Sequence, residues 1–412
     1  MTTAPEVAWH GINATGNATS LGIKYLSINE IVEVHKPIIF HADRFIPPLW
    51  YALGFPGNIL AFVIWIQPKM SQSSGVYLAA LALGDTIFLF LHIAFWLQQA
   101  WAQNVLFFPL LCELFPVFFL AAQYLNPLLV LAFTFERYIA ICHPFQRDKM
   151  TSRTTIMAVA ALVVLSFALS AIQGYFWRYN YTSKECEVRG SVLKGASQSL
   201  WSIWSWISEL LVFGVVPMTI LVLNIRVIVE ARRIKQSERR MMGFAGGQQT
   251  MHRKSGVSST TFMLLAVSFY LIFTTLPVTV LYVLNILFKS GDPTPSHAQI
   301  AEDVKWQRYL NFTALRTVVE RLSMSHNALN FYIYLCTGPV FRRELKSMFI
   351  RYFCKKSAYQ IPNTELDDLL ATYAKPADAT VKNNNGTVHL PKTSERPTRR
   401  KESFEQVADA KL

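Results

Sequence analysis

Seven stretches of the chain are nearly free of charge and long enough to cross a bilayer, which takes about 20 helical residues each. They lie at roughly 46–66, 75–98, 110–142, 155–177, 200–229, 258–288 and 312–336. This pattern predicts an all-α membrane protein, a seven-transmembrane helix bundle whose two termini face opposite sides. Residues 1–45 read as an extracellular segment and 46–337 as the seven-span domain. A short amphipathic eighth helix is expected over 338–356. The tail, 357–412, is polar and poor in aromatics, the composition of a segment with too little apolar surface to fold.

Of the 412 residues 52% are hydrophobic and only 16% charged, which agrees with lipid as the solvent. Charge then sets the orientation. Lys69, Arg147, Lys149, Arg153, Arg232, Arg233, Arg239, Arg240, Arg342 and Arg343 all fall on one side of the spans. Cytoplasmic loops keep such residues, so the N-terminus is expected outside and the chain in the plasma membrane as a multi-pass protein. The net charge of +13 is mostly this topology signal and gives no support to nucleic-acid binding. Sequons at Asn13, Asn17 and Asn180 lie on the outer side and are candidate glycosylation sites. Cys112 and Cys186 face the same oxidising compartment and can form a disulfide. Cys354 follows a basic amphipathic stretch and is either palmitoylated or a reduced thiol. No basic-then-apolar leader is seen in the first 35 residues, so span one is expected to act as the export signal.

Individual positions add a resemblance. Span one holds Gly57-Asn58, and span two holds Leu81-Ala82-Leu83-Gly84-Asp85. Span three starts at Cys112 and ends at Glu136-Arg137-Tyr138, before His143-Pro144. Pro217 and Pro277 sit inside spans five and six, and span seven ends Asn330-Phe331-Tyr332-Ile333-Tyr334. In this order, from about 46 to 354, the residues resemble the rhodopsin-like (class A) G-protein-coupled receptors. The resemblance implies that a ligand binds between the outer halves of the helices and shifts a two-state bundle. The inner end of span six then swings out to admit a heterotrimeric G protein. It also implies arrestin and receptor kinases as partners, with Thr393, Ser394, Thr398 and Ser403 as candidate phosphorylation sites, beside contact with membrane lipid. No nucleophile, metal-ligand cluster or phosphate loop suggests an enzyme.

By the same resemblance, Asp85, Asn58, Asn126, Asn327 and Asn330 line an internal polar pocket. It holds either a sodium ion, the sole cofactor considered and the only metal, or a water network. Glu136 and Arg137 form a latch that releases the arginine towards the G protein, with Tyr138, Pro277 and Tyr334 as further parts of the switch. The pair Cys112 and Cys186 ties span three to the second extracellular loop. Trp101 either packs on that bridge or is an interfacial aromatic.

Some positions depart from the family pattern. Thr274-Thr275-Leu276-Pro277 lacks the usual tryptophan, Phe331 stands in place of a proline and Ile225 in place of a tyrosine. Thr275 with Phe331 resembles invertebrate neuropeptide (FMRFamide-like peptide) receptors. Phe119 occupies the place of the amine-binding aspartate and Met324 that of the retinal lysine, which argues against amine and retinal ligands. The remaining outer-half set is Phe95, Trp96, Phe119, Gln123, Tyr124, Glu209, Tyr282, Arg316 and Glu320, broad and acidic enough for a peptide terminus. Glu209 and Glu320 are candidates to grip a basic group of the ligand. Alternatively, Glu320 pairs with Arg316 one turn before it. A chemosensory or lipid receptor of the same fold is the alternative function, and a transporter, which would show internal repeats, a weaker one.

Overall fold

The computed structural model describes residues 28–70, 73–145, 151–193, 199–244, 259–288 and 296–357. Asn13, Asn17 and the tail positions lie outside these residues. Cys354 falls in a described helix, but its side chain is not described.

The elements in chain order are α1 (Ile28–His35), α2 (Pro37–Trp65, span one), α3 (Ser73–Ala100, span two), α4 (Leu111–Cys142, span three) and α5 (Ser152–Ser170, span four). A short α6 (Gln173–Phe176) leads into an antiparallel hairpin, β1 (Trp177–Asn180) with β2 (Glu185–Val188). Span five is α7 (Leu200–Leu210), a π-helical turn over Leu211–Val215, and α8 (Val216–Phe244). Span six is α9 (Ser259–Leu284). After α10 (His297–Glu302), span seven is made of α11 (Val304–Ser323) and α12 (Ser325–Thr337), and α13 (Pro339–Ser357) follows.

Local chemistry explains several boundaries. Pro37 begins α2, where its missing N–H costs nothing. A reciprocal Thr151/Thr154 capping box starts α5, and Ser199 and Asp303 cap α7 and α11. The π turn in span five lies just before Pro217, which has no N–H to offer the carbonyl of Phe213 four residues back. Thr279 of span six donates its hydroxyl to that carbonyl at 2.7 Å, so one span completes the other's broken ladder.

Two apolar clusters fill the interior. The inner one gathers Ile64, Leu78, Leu129, Ile220, Leu264 and Tyr334; the outer one Leu89, Phe115, Phe119, Tyr124 and Phe213. Spans one and two pack tightly at Gly54, where an added Cβ would lie 2.4 Å from the Leu89 side chain. Large side chains such as Phe90, Val164 and Phe273 point outward, a face suited to lipid.

Two spans differ from the sequence reading. Helix begins at Pro37, so residues 37–45, expected as part of a separate outer segment, extend span one outward, and α1 precedes them. Span seven starts at Val304 rather than 312 and changes direction at Met324. Six helices among the described residues are long and apolar enough to cross a membrane on composition alone. The seventh is not one of them because Arg308, Arg316, Glu320 and Arg321 make its outer half polar. Three of these are accommodated by pairing: Arg316 with Glu320 at 2.8 Å, and Arg321 with Asp43 of span one.

Candidate functional site

At mid-depth, four of the five expected polar residues meet around the fifth, Asp85, which is fully buried. Asn126 donates to Asp85 Oδ1 at 2.8 Å and Asn330 to Asp85 Oδ2 at 2.7 Å. Asn126 also donates to Asn327 Oδ1 at 3.0 Å, and Asn58 to the Asn327 carbonyl at 2.7 Å. Spans one, two, three and seven are thus joined through one carboxylate. Asn58 Oδ1 and Asn126 Oδ1 are buried without a hydrogen-bond partner. Two open amide oxygens beside a carboxylate form a hard, all-oxygen donor set, which suits a cation such as sodium. Gly84 makes room for the Asn126 carbonyl, since a Cβ there would lie 2.5 Å from it.

Near the C-terminal end of span three, Arg137 Nη2 lies 3.9 Å from Glu136 Oε1. The firmer hold on Glu136 comes from Ser73 of span two, whose hydroxyl donates to Oε2 and also lies 3.0 Å from Thr155 of span four. Ser73 was not singled out by sequence. It stands 63 positions away, so only the packing of α3 on α4 brings it to the latch. Arg137 borders a small cleft with Asn224 of span five and Thr261 and Ser268 of span six. Tyr138 instead faces His143 on its own span, with ring centroids 5.5 Å apart. Tyr334 is fully buried against Trp65 and Phe341, and its hydroxyl has no hydrogen-bond partner. Pro277 lies inside an unbroken α9, where the Thr274 and Thr275 hydroxyls bond back to Tyr270 and Leu271 carbonyls at 2.9 and 2.7 Å. Thr275 is itself fully buried.

In the outer half the expected ligand set divides. Phe95 and Phe119 stack on each other at 5.2 Å within a cluster that includes Phe88, His92 and Phe115. Both are buried between spans two and three, at 8% and 2% exposure. Trp96 joins Tyr51 and Trp101 at the rim of the same cluster and donates to the Asp43 carbonyl. Tyr124 of span three, Glu209 of span five, Tyr282 of span six and Arg316 and Glu320 of span seven lie within electrostatic reach of one another, and Gln123 is buried one residue before Tyr124. Trp206 packs on Tyr282 at 4.5 Å. Arg316 pairs with Glu320 and also reaches Asn285 Oδ1 at 3.2 Å, tying span seven to six. Glu320 therefore already has its cation. Glu209 is 9% exposed and within electrostatic reach of Arg316, Glu320 and Tyr282, yet it makes no hydrogen bond or ion pair among the described residues. Both polar atoms of the Gln123 amide are also buried and unpartnered.

The mouth is shaped by the disulfide Cys112–Cys186, which fixes the β1–β2 hairpin to the start of span three. The carboxylate of Glu113 accepts the Tyr179 N–H at 3.1 Å and reinforces that junction. Phe107 and Tyr179 pack on the bridge. Trp101, for which packing on the bridge and an interfacial place were the two readings, lies against Phe45, Trp96 and the guanidinium of Arg44. Asn180 sits at the hairpin turn, where its Oδ1 accepts the Thr182 N–H at 2.9 Å. The Asp43–Arg321 pair was missed from sequence because 278 positions separate its partners and neither lies in a motif.

Comparison with known proteins agrees with this arrangement. C-C chemokine receptor type 1 of Homo sapiens is 22% identical over 79% of this chain and 85% of its own length. C-C chemokine receptor type 3 of Macaca fascicularis is 25% identical over 77% of this chain and 83% of its own. C-C chemokine receptor type 4 of Homo sapiens is 23% identical over 74% and 78%. The family model for the seven-transmembrane receptors of the rhodopsin family matches residues 57–334, from Gly57 in span one to Tyr334 in span seven, and the chain belongs to that family.

Proposed function

We propose that this G-protein-coupled receptor, which as a member of its family is not an enzyme, answers an extracellular peptide carrying a basic group, and that Glu209 receives that group. The observation that carries the reading is the buried Glu209 carboxylate, which among the described residues makes no ion pair, while both polar atoms of the Gln123 amide on span three are unmet. A charge inside a membrane span is costly unless a partner meets it, and a ligand guanidinium or ammonium would do so. The names of the chemokine-receptor relatives favour a second form of the same reading, a small protein ligand whose terminus enters the bundle. A neuropeptide is the first form, and a lipid or odorant the competing one.

The orientation follows from the basic loops, with the N-terminus outside and Asn180 available for glycosylation. Arg316 held by Glu320 and Asn285 forms a strut between spans six and seven next to Glu209. A cation arriving at Glu209 repels Arg316 and draws spans five and six together at the outer end. Thr279 passes that movement across its bond to Phe213. Below, the Asp85 network, with a sodium ion held by Asp85, Asn58 and Asn126, couples span seven to span three. The Ser73–Glu136–Arg137 arrangement then opens to the G protein, and arrestin and receptor kinases act afterwards on the cytoplasmic side. Cells expressing the chain, challenged with a neuropeptide library and read by calcium and cyclic AMP, should respond to peptides with an exposed arginine or free amine. Responses confined to lipids or odorants would overturn the proposal.

A further inference from the structure

The outer end of the chain carries a feature that neither the ligand pocket nor the switch uses. α1 and α10 are 262 positions apart at His35 and His297, yet the two imidazoles face each other. Apolar packing holds them there. Ile31 of α1 packs with Ile300 of α10 and with Trp306, Tyr309 and Leu310 of α11. Both histidines sit on fixed backbone. His35 ends α1 one residue before α2 resumes, and the Lys36 N–H bonds to Val32. His297 is the first residue of a helix capped reciprocally by Ser296 and Gln299.

His297 Nδ1 lies 3.4 Å from His35 Nε2, and the ring planes are 37° apart. That separation is long for an N–H···N hydrogen bond, whose usual length is about 2.9–3.0 Å. It matches the bite of a tetrahedral metal: two Zn–N bonds of about 2.0–2.1 Å at the tetrahedral angle place the nitrogens about 3.3–3.4 Å apart. We propose that His35 and His297 form a two-histidine site for a zinc-like divalent transition-metal ion that staples α1 to α10 across the mouth of the bundle.

Among the described residues no third His, Cys, Asp or Glu completes the set, so water would fill the other positions. Nothing in this site depends on the identity of the signalling ligand.

The test uses the purified full-length receptor in detergent at pH 7.5, with zinc chloride as the probe and magnesium chloride as control. Zinc at about 100 µM should raise the unfolding temperature by several degrees, because it binds only the folded arrangement. The rise should vanish in His35→Ala and in His297→Ala, whose unfolding temperatures without zinc should match wild type. No rise in wild type, or an equal rise in both variants, overturns the proposal. If either variant fails to fold, a cobalt(II) titration of the wild type decides. A tetrahedral visible band saturating at one equivalent supports the site, and its absence refutes it.

Discussion

Replacing Arg321 by methionine leaves Asp43 without its cation between spans one, two and seven. The side chains of the pair are 15% and 24% exposed, so it is neither fully buried nor at the surface. Breaking a buried pair costs about 3–5 kcal/mol and losing an exposed one about 0–1, which places Arg321→Met at about 2–3 kcal/mol. The Trp50 indole contact survives, since it is made to the Arg321 carbonyl at 2.8 Å. At about 2–3 °C per kcal/mol for a chain of this size, unfolding in detergent should fall by roughly 4–8 °C. Asp43→Asn with Arg321→Met removes the stranded charge and should return to within about 1 kcal/mol of wild type. A thiol-reactive melting assay on wild type, both single variants and the double variant measures the coupling. Strictly additive effects would refute the reasoning, because they would mean that the two groups do not sense each other.

Gly84→Ala should cost about 1–3 kcal/mol by driving a methyl into Asn126, and should cost almost nothing when Asn126 is already alanine, as melting of the paired variants will show. Thr279→Val should lose about 1 kcal/mol and speed hydrogen exchange around 213–218, because the Phe213 carbonyl loses its donor. Glu209→Gln should leave melting unchanged or raised while weakening the ligand response, whereas Glu320→Gln should cost about 2–3 kcal/mol of stability by leaving Arg316 without its carboxylate. Ser73→Ala should raise basal G-protein signalling, measured as ligand-free nucleotide exchange, because Glu136 loses its firmest tether.

The periodic signals were legible from the chain alone. Seven apolar runs gave the bundle, and the residues around Asp85 and at Glu136-Arg137 occupy positions that the structure brings together. What sequence could not supply was pairing across long separations. Asp43 with Arg321, Ser73 with Glu136 and His35 with His297 are ordinary residues until helix packing sets them side by side. The stacking of Phe95 on Phe119 was likewise beyond the sequence, because composition does not say which aromatic rings pack on one another. Span seven was placed too short because its outer half is polar. Only the partners inside the bundle make those charges tolerable.

The central claim is that a basic group of a peptide ligand meets the unpartnered Glu209. Once an activating peptide is found, its potency should be measured on wild type and Glu209→Gln, each with the peptide's basic residue intact and replaced by a neutral one. The account predicts a loss of at least about tenfold for either change alone, and little further loss when both are combined. Full potency on Glu209→Gln, or losses that simply multiply, would contradict it.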